Sequence, residues 1–466
     1  MLKGAIPEDA ENRLVARTPS LRFPAVQYLS TRTPAHRVSL STALQDGLAP
    51  DGGLYVPERF PALGPEAFEG RTTIEAVAER LLRPFAEGDH LADVLPGICE
   101  AMFGFPVPLR EIGRGTSVLE LFHGPTAAFK DVGARFLADS LARLNEGAAQ
   151  PLTILVATSG DTGAAVAAAF WKKPNVEVVV LYPKGKVSDR QEQQLTGWSD
   201  NVQTVAVRGV FDDCQTLVKE AFQDEAWQER LRLSSANSIN IGRLLPQMTY
   251  YAYASLRHWR AHGTRPNVIV PSGNLGNGLA CLYARECGLP IGEVVFATNE
   301  NRPVTHYLET GEYEAFETQE TLATAMDVGN PSNMERLRHH YSGSGGEEAL
   351  HDAIGAERVT DEQIERHVRQ GPEAWDTVWD PHTATAVEAR EHLDPDDEHE
   401  WILVATAHPA KFPEVVEPLV GHAVDVPEPL AEVMARSHPV PEVDPTLSAV
   451  ADVVFEDRRP DATEHA

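Results

Sequence analysis

The chain has 466 residues and a mass of 50.9 kDa, long enough for two or three domains with substantial cores. Hydrophobic residues make up 42% and charged residues 23%, the balance of a folded, water-soluble polypeptide. Asp and Glu total 69 against 40 Lys and Arg, and this net charge of −29 argues against nucleic acid or an anionic membrane as a main partner, since either would repel it.

An acidic surface with few lysines suits a cytoplasm rich in salt, where screening reduces self-repulsion. Cys99, Cys214, Cys281 and Cys287 have neither metal-ligand spacing nor a disulfide framework and read as buried thiols. The seventeen histidines include no H-E-x-x-H arrangement, so no structural or catalytic zinc is expected. No apolar run approaches the roughly 20 residues of a membrane span. The first residues, with Glu8, Asp9 and Glu11, lack a signal-peptide apolar region, and a cytoplasmic location is expected.

Residues 1–25 are polar and irregular. From Tyr28 to Pro61 the sequence is dense with turns, and two amphipathic helices follow at about 72–87 and 90–103, the first striped by Ile74, Val77, Leu81 and Leu82. Residues 1–115 read as a mainly helical N-terminal domain. Short β-branched runs at Leu152–Ala157, Val176–Tyr182 and Val202–Val207 then alternate with helical stretches near 162–172, 188–195 and 212–230. That alternation is the pattern of a parallel sheet covered on both faces. Further strands are expected at Asn267–Val270, Val294–Thr298 and Trp401–Thr406. The fold class is therefore α/β, two open sheets with a cleft between them. The larger domain takes 116–150 and 236–425, and the smaller takes 151–235. The acidic, proline-rich stretch 426–466 reads as a solvated tail.

One lysine stands apart. The chain has eight lysines, and only Lys130 and Lys411 sit in apolar settings punctuated by Gly and Pro. Lys130 follows the Gly124-Pro125 turn and opens a helix with Ala134, Leu137 and Leu141 at helical spacing. Removing water there lowers the amine pKa and makes it a nucleophile able to form a Schiff base with a carbonyl, a task a guanidinium cannot perform. Two loops between strand and helix accompany it. Ala157-Thr-Ser-Gly-Asp-Thr-Gly-Ala164 offers hydroxyls and N–H groups suited to a carboxylate, and Ile269-Val-Pro-Ser-Gly-Asn-Leu-Gly-Asn-Gly278 lets backbone approach a phosphate. Glycine-rich turns of this kind also occur without a ligand. No G-x-G-x-x-G dinucleotide fingerprint and no Walker lysine is present.

Phe122-His-Gly-Pro-Thr-Ala-Ala-Phe-Lys-Asp131 resembles the cofactor-lysine segment of threonine synthases, pyridoxal-phosphate (PLP) enzymes of fold type II, the tryptophan synthase beta-like kind. The segments Gly47-Leu-Ala-Pro-Asp-Gly-Gly-Leu-Tyr-Val-Pro57, Ser159–Gly163, Asn237–Asn240, Ser272–Asn277, Thr298–Asn301, Asp380–Ala384 and Ala405–Phe412 resemble family segments in family order, over roughly residues 28 to 415. The resemblance implies conversion of O-phospho-L-homoserine and water to L-threonine and phosphate. It implies that Lys130 carries PLP and moves protons, and that Gly273, Asn274, Leu275, Gly276 and Asn277 cradle the cofactor phosphate. Asp161 would lie near the ring hydroxyl and Thr406 would face the pyridine nitrogen. Ser159 and Thr162 would meet the substrate carboxylate, with Asn240 and Arg243 at the leaving phosphate and Lys411 adding charge or serving the turn. Leu275 stands where the family often has phenylalanine, and Arg302-Pro303 replaces an acidic and an apolar residue, which touches only local substrate contacts. A threonine or serine dehydratase or a sulfhydrylase would need the same lysine and loops, but not the Gly47–Pro57 text. A homologue that only binds phosphorylated amino acids would not need Lys130. The sequence assigns no oligomeric state, monomer or homodimer.

Overall fold

The computed structural model describes residues 25–343, 345–393 and 399–456; the expectation for residues 1–24 and the last ten residues of the expected tail lie outside them. Among the described residues fourteen strands form three sheets. β1 (Tyr28–Ser30), β2 (Arg37–Val38) and β3 (Tyr55–Pro57) make a small antiparallel sheet, ordered β2-β1-β3, beside helices Leu40–Asp46, Ile74–Ala86 and Leu95–Met102. β4 (Leu109–Gly113), β5 (Thr116–Glu120), β10 (Asn267–Pro271), β11 (Val294–Thr298), β12 (Ile354–Arg358) and β13 (Trp401–Ala405) form the large sheet, ordered β12-β11-β10-β13-β5-β4. Every pairing in it is parallel except the β4/β5 hairpin. β6 (Leu152–Ala157), β7 (Val176–Pro183), β8 (Val202–Val207), β9 (Arg232–Ser234) and β14 (Glu442–Val443) form the third, all-parallel sheet, ordered β14-β8-β7-β6-β9.

Alternation along the strands sorts side chains into three cores, because successive residues of a strand point to opposite faces. In the large sheet Val268, Val270, Val294, Phe296, Ile402 and Val404 enter a central core, while Ile269, Val295, Ala297, Leu403 and Ala405 enter an outer one. Ile154, Val178 and Val180 of the third sheet enter the same central core, whereas Leu155, Val179 and Leu181 face a separate outer layer. Helices Lys130–Leu144 and Asp161–Phe170 pack on each other inside the central core, so the two sheets share one apolar interior. Each fully buried aliphatic side chain there contributes about 1.5–3 kcal/mol.

The structure corrects three expectations. Residues 428–456 are not a solvated tail: they form helix Glu428–Met434, β14 and helix Leu447–Glu456, with Leu430, Val433, Val450 and Val454 buried. Val443 pairs with Val207, and the spacing of Val450 and Val454 puts both on the outer core while acids take the solvent side. The boundary expected at 115/116 cuts the β4/β5 hairpin, whose turn is made by Arg114 at φ 53° and Gly115 at φ 62°. The helix expected over 212–230 is two, Phe211–Gln223 and Glu225–Arg230, broken where Asp224 accepts the Trp227 amide at 3.0 Å and caps the second.

Candidate active site

Lys130 is placed by a seam between two loops. The turn after β5 folds back on itself, with the Ala127 amide donating to Gly124 O at 3.0 Å and Ala127 held at φ 51°. Thr126 donates from its amide and hydroxyl to the buried Asp131 carboxylate at 2.9 and 2.7 Å. A side chain at position 124 would meet Asp131 Oδ2 at 2.4 Å, so the turn requires glycine there. The Phe129 amide then donates to Thr406 O at 2.9 Å and the His408 amide to Ala127 O at 3.0 Å, around a bridge between Ala128 and Ala407. The end of β13 is thereby stitched to the start of the lysine helix.

The Lys130 side chain is 14% exposed, and its Nζ lies 3.4 Å from Asp161 Oδ2. Burial pushes its pKa down; Asp161 opposes this, and Lys411 and Arg243 push it further down. Asp161 opens helix Asp161–Phe170, where exposed N–H groups favour an anion. Its other oxygen is 3.0 Å from Nζ of the fully buried Lys411. Burial alone would raise the Asp161 carboxyl, but Lys411 and Lys130 outweigh it and hold it below the usual carboxylate range. The loop before the helix is tied by Thr158, whose hydroxyl accepts the Gly160 and Gly163 amides at 2.9 and 2.8 Å. Ser159 is exposed and Thr162 half-buried, the two residues of this loop left facing open space.

The second loop, Ser272–Asn277, follows β10. Leu275 sits in the left-handed region at φ 62°, directly before helix Gly276–Glu286. A Cβ on Gly273 would lie 2.6 Å from Met326 Cα, so backbone passes against backbone. Asn274 spans the loop, donating to Ser238 Oγ at 2.6 Å and accepting the Ser332 amide at 2.6 Å. The Asn277 carboxamide oxygen accepts both Tyr250 and Tyr251 hydroxyls, at 2.5 and 2.8 Å. Asn277 Nδ2 and Ser272 Oγ are buried without a partner among the described residues. Buried polar atoms are normally satisfied, so orphans in this loop are the mark expected where a polar ligand binds.

Asn240 and Arg243 are both buried and lie on one short helical turn. Asn240 is fully engaged: its Nδ2 donates to Leu44 O at 2.9 Å and Ser235 O at 3.1 Å, and its Oδ1 caps the Gly242 amide at 2.9 Å. With both donors used on backbone it positions Arg243, whose amide donates to Asn240 O at 2.9 Å. Arg243 donates from Nη1 to Ala236 O at 2.5 Å, has no partner for Nε among the described residues, and its pKa is pushed by burial down to about 10.

Thr406 is 4% exposed, and its amide donates to Thr383 Oγ1 at 3.3 Å. Asp380 organises the turn beneath it, accepting the Thr383 hydroxyl and, at 2.9 Å, His382 Nδ1. His382 Nε2 accepts the Ala325 amide at 3.0 Å, so its proton resides on Nδ1. Arg302 stacks over Phe316 at 4.8 Å.

Sequence reasoning missed the supports of the loop after β10. Arg336 is wholly buried, donating to Tyr55 O at 3.0 Å, Asn333 Oδ1 at 2.7 Å and Ile239 O at 2.5 Å, and Asn333 in turn donates to Asn274 O at 2.9 Å. It links the Gly47–Pro57 stretch to the loop after β10. Its sequence setting, among Arg338, His339 and His340, reads as an ordinary solvated helix face.

Comparison with known proteins was then decisive for the family. Residues 108–406 match the family described as pyridoxal-phosphate dependent enzyme, 27–103 the threonine synthase N terminus, and 383–454 the threonine synthase C-terminal family. The threonine synthase of Escherichia coli K12 is 40% identical over 399 residues, 85% of this chain and 91% of that protein. That of Haemophilus influenzae is 39% identical over 398 residues, 85% and 92% of the two chains. The crystal structure of PLP-bound threonine synthase from Brucella melitensis superposes with a TM-score of 0.87 at 34% identity, covering 93% of this chain and 100% of that one. The chain belongs to the threonine synthase family of pyridoxal-phosphate dependent enzymes.

Proposed function

We propose that this protein converts O-phospho-L-homoserine and water to L-threonine and phosphate, with pyridoxal phosphate carried on Lys130. The observation that carries this reading is the buried Lys130 amine, depressed by burial and set beside an Asp161 already neutralised by Lys411. PLP, when bound, supplies an electron sink beside the amine-bearing carbon. The residues present suit it, since the Ser272–Asn277 loop combines a helix N-terminus, close backbone and two orphaned polar atoms.

Within that reading Gly273, Asn274, Leu275, Gly276 and Asn277 bind the cofactor phosphate, and Asp161 and Thr406 contact its ring. Ser159 and Thr162 take the substrate carboxylate, and Arg243, held by Asn240, takes the leaving phosphate through its guanidinium fork. Lys130 is the base and acid that moves protons at Cα, Cβ and Cγ of the substrate. Burial of the Lys130 side chain, 14% exposed, limits the water that could compete for those protons. We also place the enzyme in a salt-rich cytoplasm, on the strength of its −29 charge and eight lysines.

The test is direct. Borohydride reduction and peptide mapping should leave the pyridoxyl group on Lys130, and the enzyme should release phosphate and threonine in equal amounts from phosphohomoserine. Lys130→Ala should abolish both while leaving the fold intact. An adduct on Lys411, or phosphate without threonine, would overturn the assignment.

A further inference from the structure

The C-terminal end of helix Met248–His262 carries two histidines four residues apart, and both reach the same carboxylate. His258 Nε2 lies 2.7 Å from Glu400 Oε2, and His262 Nδ1 lies 3.4 Å from Glu400 Oε1. The imidazole rings stack with centroids 4.5 Å apart, and the three donor atoms all fall within 4.8 Å of one another. Thr264 Oγ1 donates to Glu400 Oε2 at 3.0 Å. The outer nitrogen of His262, Nε2, points to Glu111 Oε1 at 3.9 Å.

We propose that His258, His262 and Glu400 form a binding site for one borderline divalent cation of the zinc class. Two imidazoles and a carboxylate suit zinc, nickel or copper rather than magnesium or calcium, which prefer oxygen donors. A zinc ion about 2.0–2.2 Å from each donor fits a set this close after small side-chain rotations, with water as fourth ligand. A histidine ligand commonly gives its other nitrogen to a carboxylate, and Glu111 lies within ion-pair reach of it at 3.9 Å. The helix C-terminus adds negative potential. The expectation of no zinc rested on the missing H-E-x-x-H text; His258 and His262 keep the spacing of that motif's histidines but draw their carboxylate from a distant strand.

The ion would be structural. Glu400 precedes β13 and Thr406 follows it, so the site lies about 20 Å from the chemistry along the strand. It joins helix Met248–His262, the approach to β13 and, through Glu111, β4. Without an ion the same groups hold each other by hydrogen bonds, and the experiment separates the two states.

Holoenzyme stripped with a chelator and exchanged into phosphate-free buffer should bind one Zn²⁺ per chain with a Kd of about 1 µM or tighter. Its melting temperature should rise with Zn²⁺ and not with equimolar Mg²⁺. Co²⁺ should give d–d absorption beyond the cofactor band. His262→Ala and Glu400→Gln, both at partly exposed positions, should each weaken Zn²⁺ at least about tenfold while leaving metal-free turnover unchanged. His422→Ala, at an exposed histidine elsewhere, should change nothing. Zn²⁺ affinity unaltered by His262→Ala and Glu400→Gln, or no saturable binding tighter than about 10 µM, would overturn the proposal.

Discussion

Lys411 and Asp161 form a wholly buried ion pair, Nζ to Oδ1 at 3.0 Å, and that pair frees Lys130 to change its charge. Lys411 uses its two other protons on Thr126 O at 2.6 Å and Gln194 Oε1 at 3.2 Å, so all three donors are satisfied. Asp161 therefore keeps a cationic partner when Lys130 is neutral.

Removing Lys411 strips the buried Asp161 carboxylate of its nearer cationic partner and leaves it Lys130 at 3.4 Å. Lys411→Met should cost about 3–5 kcal/mol in denaturant unfolding. It should also raise the pH at which Lys130 loses its proton, since Asp161 would then attract Lys130 without competition. A loss below about 1 kcal/mol would show that the pair is not excluded from water.

Arg243 is a buried cation whose Nε has no partner among the described residues, so its stability and activity effects should separate. Arg243→Met removes the cost of burying the charge and should leave the unfolding free energy unchanged or higher. The same variant should lower kcat/KM for the phosphorylated substrate about 100-fold, because charge-assisted hydrogen bonds are worth about 1.5–3 kcal/mol each. Parallel chemical denaturation and steady-state kinetics check both halves. Equal losses in stability and activity would make Arg243 a packing residue.

His408 follows Thr406, packs edge-on against Phe122, and is pushed by burial down to about 4 against the pull of Asp380. A histidine depressed in the folded state binds its proton more readily when unfolded, where its pKa is about 6.5. Its contribution to stability is therefore complete above about pH 6.5 and is lost as pH falls toward about 4. His408→Asn keeps the acceptor that the Ala410 amide uses, at 3.2 Å in the native chain, and removes the titration. Unfolding free energies between about pH 7 and pH 4.5 should fall less steeply in the variant than in the native protein; identical slopes would show that His408 protonates without cost.

The net charge of −29 sets a salt dependence. Lowering ionic strength to about 0.01 M lengthens the Debye length to about 30 Å and lets distant carboxylates repel one another, whereas 1 M salt shortens it to about 3 Å. The melting temperature should rise steadily with KCl over that range, and activity should follow it. A melting temperature independent of salt would remove the argument for a saline habitat.

The sequence by itself determined the strands with β-branched runs and the glycine turns after β6 and β10, because alternation and glycine turns are local properties of the chain. Leu152–Ala157, Val202–Val207 and Val294–Thr298 are strands over those same residues. The setting of Lys130 was legible for a similar reason: in a lysine-poor chain this one follows a Gly-Pro turn and opens a buried helix, beside Asp161 at 3.4 Å. Only the tertiary structure decided what surrounds it. Lys411 reaches Asp161 across the fold, Arg336 joins Tyr55 to the loop after β10, and Glu400 meets His258 and His262, each pair far apart in sequence and close in space. Such contacts leave no period and no spacing to read. The same holds for the acidic stretch after Pro427, where composition suggested solvent but Val443, Val450 and Val454 find an open sheet edge and an uncovered helix face. Composition averages over a segment, whereas burial is decided side chain by side chain, by what the rest of the chain leaves exposed.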